Sequence, residues 1–166
     1  MRVEALGPAH NRANFHCGVT ELDQYLHHQA SQDAKRKVAA PFVMIDSSGA
    51  ILGYYTLSAY AVRLREMPAP LARKLPRYPL LPATLVGRLA VAMEHRGRNL
   101  GRLLVMDALR RSWENTAEVG SIGVVVEAMD EPARAFYRHH EFTSLLDRPG
   151  KMFMAIDTIE RAFRSL

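Results

Sequence analysis

The stretch His95-Arg96-Gly97-Arg98-Asn99-Leu100-Gly101-Arg102 sets glycines, an asparagine and arginines between an apolar run, Thr84 to Met93, and an amphipathic one that begins at Leu100. Residues of these types at a strand-to-helix corner can bind an anion. Glycine and asparagine reach backbone conformations closed to most side chains. The amides that open a helix lack carbonyl partners, and the helix dipole leaves them in a positive potential. Arg98 and Arg102 would add counter-charge. Arg96 to Gly101 follows the pattern Arg/Gln-x-x-Gly-x-Gly, with Asn99 where the first glycine usually stands. Asparagine is the non-glycine residue best suited to the left-handed region, so it can replace that glycine. A loop for nucleoside triphosphates would close on Lys-Ser or Lys-Thr, where this chain has Gly101-Arg102. A dinucleotide loop would need Gly-x-Gly-x-x-Gly with an acidic residue about twenty positions on. Neither fits.

Three further groups could do chemistry. Tyr137 carries a phenol whose ordinary pKa is near 10, so it is protonated at neutral pH and can supply a proton to a leaving group. As a helix aromatic beside Phe136 it could instead be a packing residue. Glu127, at the expected end of an apolar strand, could orient an amine or take its proton through water, or could simply face solvent. Positive charge forms two clusters: Lys35, Arg36 and Lys37, and the segment from Ala61 to Arg88, where Arg63, Arg65, Arg73, Lys74, Arg77 and Arg88 face Glu66 alone. Such clusters are either a solvated surface or the footprint of a polyanion.

These groups must be positioned by a fold that the remaining pattern outlines. With 166 residues, 48% hydrophobic and 23% charged, and a formal net charge of +5, the chain reads as one globular domain, residues 1–166. The lone Cys17 cannot form an internal disulfide, and the histidines show no zinc-like spacing, so no metal is expected. The adjacent pairs His27–His28 and His139–His140 diverge by about 100° on a helix and read as exposed helix residues. No apolar run reaches the roughly 18 residues of a membrane span, and the N-terminus lacks a secretory core, so a cytoplasmic location is expected. After an apolar opening, Val3 to Leu6, a helix is predicted from Thr20, with Thr20 and Asp23 closing a capping box. Pro41 to Asp46 and Ile51 to Val62 read as strands around a turn. Five prolines between Met67 and Pro82 predict a surface excursion with a short helix at Leu71 to Leu75. The spacing then predicts the strand and corner above, a helix over Leu100 to Asn115, a buried strand over Ser121 to Met129, a helix over Glu131 to His140, and a last strand over Lys151 to Asp157. The class is mixed α/β.

In order, "TLVGRLAV", "RGRNLG", "VVVEA" and "ARAFYRHHEF" resemble the core of the GNAT acetyltransferase superfamily. The resemblance implies a central mixed sheet flanked by helices, and acetyl-CoA as cosubstrate. Its pyrophosphate would be held by Arg96, Gly97, Arg98, Asn99, Leu100, Gly101 and Arg102, and its pantetheine arm paired with backbone of Leu89 and Val91. It also implies that Tyr137 is the general acid. "HCGVTELDQYL", "QDAKRKVA" and "GYYTLSA" are similar to one branch, the toxin acetyltransferases of bacterial toxin–antitoxin modules. Those enzymes acetylate the α-amine of aminoacyl-tRNA and are neutralised by a ribbon-helix-helix antitoxin; homodimers are common among them. On this reading Lys35, Arg36, Lys37, Arg73, Lys74 and Arg77 hold the tRNA backbone. Two alternatives remain: an N-acetyltransferase acting on a protein, peptide or small amine, and a catalytically inactive nucleic-acid-binding module.

Overall fold

Gly123–Glu127 is a five-residue strand in which every residue except Glu127 is buried. A continuous Val run of this kind suits a strand covered on both faces. Its environment is seen in a computed structural model that describes residues 1–166. In chain order the strands are β1 Arg2–Ala5, β2 Ala40–Ile45, β3 Ile51–Arg63, β4 Leu80–Val91, β5 Gly123–Glu127, β6 Thr143–Leu145 and β7 Arg148–Ala155. The helices are α1 Thr20–Gln24, α2 Ala30–Arg36, α3 Ala69–Ala72, α4 Leu100–Asn115, α5 Glu131–His139 and α6 Ile156–Arg164. The strands form one mixed seven-stranded sheet in the order β1-β2-β3-β4-β5-β7-β6. β4 and β5 are parallel at Thr84–Val86, and parallel neighbours need a crossover, which α4 supplies. The hairpin β2–β3 and the pairs β1–β2, β5–β7 and β6–β7 are antiparallel.

The chain organises into two compact units, Met1–Ser58 with Gly87–Ala108, and Ala59–Val86 with Leu109–Leu166. The first has an aromatic core. Tyr54 is fully buried, meets Phe15 edge-on at 5.5 Å and stacks on Tyr25 at 6.3 Å, and Leu26, Ala30, Val43 and Ile51 pack around them. The second is built on Val125 and Phe153, paired across β5 and β7, with Val62, Met67, Ala83 and Leu145 around them. Gly123 permits that pairing, because a Cβ there would lie 2.3 Å from the Met154 carbonyl oxygen. α6 adds Ile159 to the buried set and stacks Phe163 on Trp113 at 5.8 Å.

Several sequence expectations change. The apolar opening is strand β1, β6 arises where no element was expected, and the last strand, expected over Lys151 to Asp157, ends at Ala155 because α6 begins at Ile156. The helix from Thr20 is interrupted by a π-helical turn, Tyr25–Gln29, between α1 and α2. Its expected capping box does not form: Val19 is the N-cap, and Asp23 accepts from the Cys17 amide at 2.8 Å instead. With Thr20 already inside the first turn, Asp23 reaches past it to the preceding loop. The excursion's helix is Ala69–Ala72, starting earlier than expected because Pro68 and Pro70 suit a first helical turn. β4 starts at Leu80 and takes in Pro82, which lacks an N–H but whose carbonyl accepts from Ile122 at 2.8 Å. Of the histidine pairs, His28 and His139 are exposed, whereas His27 bonds the Phe15 carbonyl at 2.9 Å and His140 that of Phe136 at 2.8 Å.

Candidate functional site

In the first unit the chain leaves β4 under tight restraint. The Ala92 amide donates to the Leu52 carbonyl and the Met93 amide to that of His16, both at 2.8 Å, and a 3-10 turn over Met93–His95 follows. The Arg96 guanidinium donates to the Cys17 carbonyl. Gly18 allows this approach: it has φ +92°, and a Cβ on it would lie 3.1 Å from Arg96 Nη2. Arg96, expected among the anion-binding residues, therefore has its side chain engaged in bracing the corner.

The corner then turns through two left-handed residues, Gly97 at φ 81° and Asn99 at φ 64°. Asn99 thus adopts the conformation that glycine commonly supplies. Its carbonyl accepts from the Leu103 amide at 3.3 Å, which opens α4, while Leu100 anchors the turn in the core at 3% exposure. The amides of Leu100, Gly101 and Arg102 take no backbone carbonyl. Together with exposed Arg98 and Arg102 they make a positive cradle at a helix start. Gly101 lies inside the helix without a positive φ. Arg98 is held in place, with Nη1 2.8 Å from His95 Nδ1. His95 Nε2 lies 3.5 Å from Glu94 Oε1, so the ring accepts from Arg98 while its other nitrogen faces the carboxylate.

Leu89 and Val91, half-buried, lie on β4 beyond the positions paired with β5. Behind them Gly53 of β3 is required by close packing: a Cβ there would come within 2.8 Å of both the Ala90 carbonyl oxygen and Leu104 Cδ1. Arg88, on the same strand, lies over the Tyr25 ring, its guanidinium carbon 3.6 Å from the centroid, and Tyr25 donates to Asp33 Oδ2 at 2.9 Å. Burial, followed by the Asp33 bond, pushes the Tyr25 phenol up to about 12. The Arg88–Tyr25–Asp33 contact was not legible in sequence, since the partners come from three separate elements. The Gly18–Arg96 brace was also missed, and its only advance signal was a glycine beside Cys17.

Lys35, Arg36 and Lys37 lie at the end of α2, all three exposed, and Lys37 forms a left-handed cap at φ 63°.

In the second unit, Asp130 caps α5 by accepting from the Ala133 amide at 2.9 Å, and Tyr137 lies in the last turn of that helix. Tyr137 is 6% exposed and meets Phe136 and Phe142 edge-on, each at 5.3 Å. Burial pushes its phenol up to about 12, so the proton is held firmly at neutral pH. Arg134 Nε lies 3.1 Å from Glu131 Oε2, yet the N–H has no partner in hydrogen-bond geometry; the contact is an ion pair by distance only. Glu127 is exposed and lies 3.4 Å from Lys151 Nζ, its cross-strand neighbour. Arg73, Lys74 and Arg77 are exposed on the proline-rich excursion.

Known proteins are similar to this chain. A "Probable toxin TacT" of Sinorhizobium fredii is 25% identical over 166 residues, covering 95% of this chain and 92% of the relative. A "tRNA-acetylating toxin" of Mycobacterium tuberculosis is 31% identical over 137 residues, covering 82% of this chain and 81% of the relative. Among solved structures, AtaT complexed with acetyl-methionyl-tRNAfMet superposes with TM-score 0.90 at 26% identity over 98% of both chains. AtaTR bound with AcCoA gives 0.85 at 27% identity over 98% and 97%. A tyrosine-to-phenylalanine mutant of the AtaT toxin bound to the C-terminus of the antitoxin AtaR gives 0.83 at 25% identity over 98% and 97%. Residues 9–142, which hold both the corner and Tyr137, match the family profile, and the chain belongs to the acetyltransferase (GNAT) family.

Proposed function

We propose that the protein is an acetyl-CoA-dependent N-acetyltransferase that acetylates the α-amine of aminoacyl-tRNA and thereby blocks translation, as the toxin of a toxin–antitoxin module. The observation that carries the transferase reading is the left-handed Asn99 followed by three unpaired helix amides. This geometry fits a pyrophosphate, with Arg98 and Arg102 as counter-charges and Arg96 as a brace behind them. Bound there, acetyl-CoA supplies an acetyl thioester. Leu89 and Val91 offer backbone groups to the pantetheine arm in the manner of an added strand.

Transfer forms a C–N bond and breaks the thioester C–S bond, so the departing sulfur needs a proton and the amine must lose one. Tyr137 Oη donates the first; its raised pKa keeps it protonated at working pH. The second is easier for an α-amine, ordinarily near 7.7 to 8.0, than for a lysine near 10.4. Esterification of the carboxyl lowers the α-amine further, and no strong base is required. Glu127, tied to Lys151 at an exposed strand end, then has only a supporting part in receiving a proton through water.

The tRNA reading is supported by the likeness to a tRNA-acetylating toxin and to AtaT in its tRNA complex. Lys35, Arg36 and Lys37 in one unit and Arg73, Lys74 and Arg77 in the other are the phosphate contacts. A ribbon-helix-helix antitoxin, a homodimer, a cytoplasmic location and a catalytic domain spanning residues 1–166 complete the reading. The residue that speaks most for an inactive binding module, Asn99, holds the backbone as a glycine would. The deciding experiment incubates purified protein with acetyl-CoA and a total charged tRNA pool and reads acetylated aminoacyl adducts by mass spectrometry. Acetylation of particular charged tRNAs is expected. Acetyl-CoA turnover on amines with every tRNA unmodified would replace tRNA with another acceptor.

A further inference from the structure

Just ahead of the unpaired amides of α4, the chain sets a histidine against one of the two counter-charges. His95 closes the turn Met93–His95, and its amide donates to the Ala92 carbonyl at 3.0 Å. The Met93 amide, on the His16 carbonyl, fixes the same turn, so the imidazole has a firm base. Arg98 is exposed and has a long, flexible stem, yet its Nη1 lies 2.8 Å from His95 Nδ1. A guanidinium only donates and keeps its charge, so the ring nitrogen in this contact carries no hydrogen and the imidazole that accepts the bond is neutral. Two carboxylates stand near the ring. Glu94 Oε1 lies 3.5 Å from Nε2, and Asp46, in the turn between β2 and β3, is close enough for its carboxyl to feel the ring's charge. Asp46 Oδ1 is otherwise committed to the Ser48 and Ala50 amides and the Ser48 hydroxyl. The neighbouring Arg96 is occupied by the Cys17 carbonyl. Arg98 itself has no carboxylate partner, so its charge is left for an incoming anion.

An exposed arginine loses side-chain freedom when it closes on a phosphate, and an acceptor that already orients the guanidinium lowers that cost. We infer that His95 is a positioning residue for the pyrophosphate of acetyl-CoA: the neutral imidazole holds the Arg98 fork at the corner, and protonation of the ring releases it. The added proton fills the lone pair that Arg98 uses and sets two cations side by side. Its charge is met by Glu94 and Asp46, so acid takes away more in orientation than it adds in attraction for the cofactor. Imidazole is the side chain whose charge ordinarily changes between about pH 5 and 8, and cofactor affinity becomes pH-dependent in that range. The inference rests on the corner as the pyrophosphate site, as proposed above.

Calorimetry between about pH 8 and 5.5, with acetyl-CoA and with 3′-dephospho-CoA, whose pyrophosphate does not titrate there, provides the test. At the alkaline end His95→Phe, which keeps a ring and removes the acceptor, should weaken binding by ~3- to 10-fold. His95→Asn, whose amide oxygen can stand in for Nδ1, should restore it. On acidification the wild-type affinity should fall towards that of His95→Phe, and His95→Asn should lose this share of the pH dependence. His16, 3.7 Å from Asp23 Oδ2, is a second imidazole of this region and contributes equally to both profiles. In an Arg98→Gln background, itself weaker by at least ~10-fold, His95→Phe should add nothing. A full effect of His95→Phe in that background, identical pH profiles in wild type and His95→Asn, or tighter wild-type binding in acid would each overturn the inference. If acetyl-CoA binding is lost in Gly97→Val but indifferent to His95→Phe, the corner stands as the cofactor site and His95 has no part in it. A wild-type protein that binds neither ligand would overturn the corner as the cofactor site, and this inference with it.

Discussion

At the scale of single residues, the corner depends on backbone conformation more than on side-chain chemistry. Asn99 at φ 64° is an allowed but uncommon choice, so Asn99→Gly should keep acetyl-CoA binding, and Asn99→Val, with a branched Cβ in the left-handed region, should abolish it. Gly97 has open space where a Cβ would stand but a φ of 81°, so Gly97→Val should fail by strain and not by clash, costing about 1–3 kcal/mol in this loop. Isothermal calorimetry with acetyl-CoA decides both; ordinary affinity in both valine variants would remove the cradle. Tyr137→Phe keeps the ring that packs on Phe136 and Phe142 and removes only the hydroxyl. Turnover should fall by ~10²-fold or more while acetyl-CoA binding persists, the usual scale for a lost general acid. Wild-type turnover would leave Tyr137 as a packing residue.

At the scale of elements, a glycine marks where two strands and a helix are drawn close. Gly53 lets β3 lie against Ala90 of β4 and Leu104 of α4, directly behind Leu89 and Val91. Gly53→Ala forces a Cβ to 2.8 Å from a backbone carbonyl, and displacement of β4 should cost ~1–3 kcal/mol of stability. Because the displaced strand carries the pantetheine-pairing positions, the KM for acetyl-CoA should rise together with the loss in urea-unfolding midpoint. A stability loss with KM unchanged would separate β4 from cofactor binding.

At the scale of the whole molecule, buried phenols and surface charge set opposite sensitivities. Tyr25 and Tyr137 are raised to about 12, and Tyr54 is shifted upward as well, by burial first in each case. A pKa raised above its unfolded value near 10 gives stability that is complete below about pH 10 and lost as pH rises through the folded values. Thermal midpoints should therefore fall steeply between about pH 10 and 12, and Tyr25→Phe should shallow that fall. A midpoint independent of pH across this window would show the phenols to be accessible to water. On the surface, Lys74→Ala with Arg77→Ala should weaken tRNA binding at low salt and flatten the salt dependence by roughly one unit for each phosphate no longer neutralised. Acetyl-CoA binding, held by the corner of the first unit, should survive, and growth inhibition in cells should disappear. Unaltered tRNA acetylation across the salt titration would make these residues ordinary solvated charge.

Local physics was legible in the sequence. The α4 boundaries, the β2–β3 hairpin, the buried β5 and the left-handed Asn99 each follow from periodicity, turn chemistry or one residue's conformational range. What escaped sequence reading depends on partners distant in the chain. β1 is a strand because Val3 and Glu4 pair with Met44 and Val43, and four residues alone carry too little pattern to show it. Asp23 leaves its capping box because the Cys17 amide lies in reach, the Arg96 side chain is taken by the Cys17 carbonyl, and Arg88 settles over Tyr25. Glu66, the lone acid of its basic segment, is drawn to Arg148 of β7, and Asp46 comes into the field of His95, since charge can be counted along a chain but which charges meet belongs to the tertiary structure.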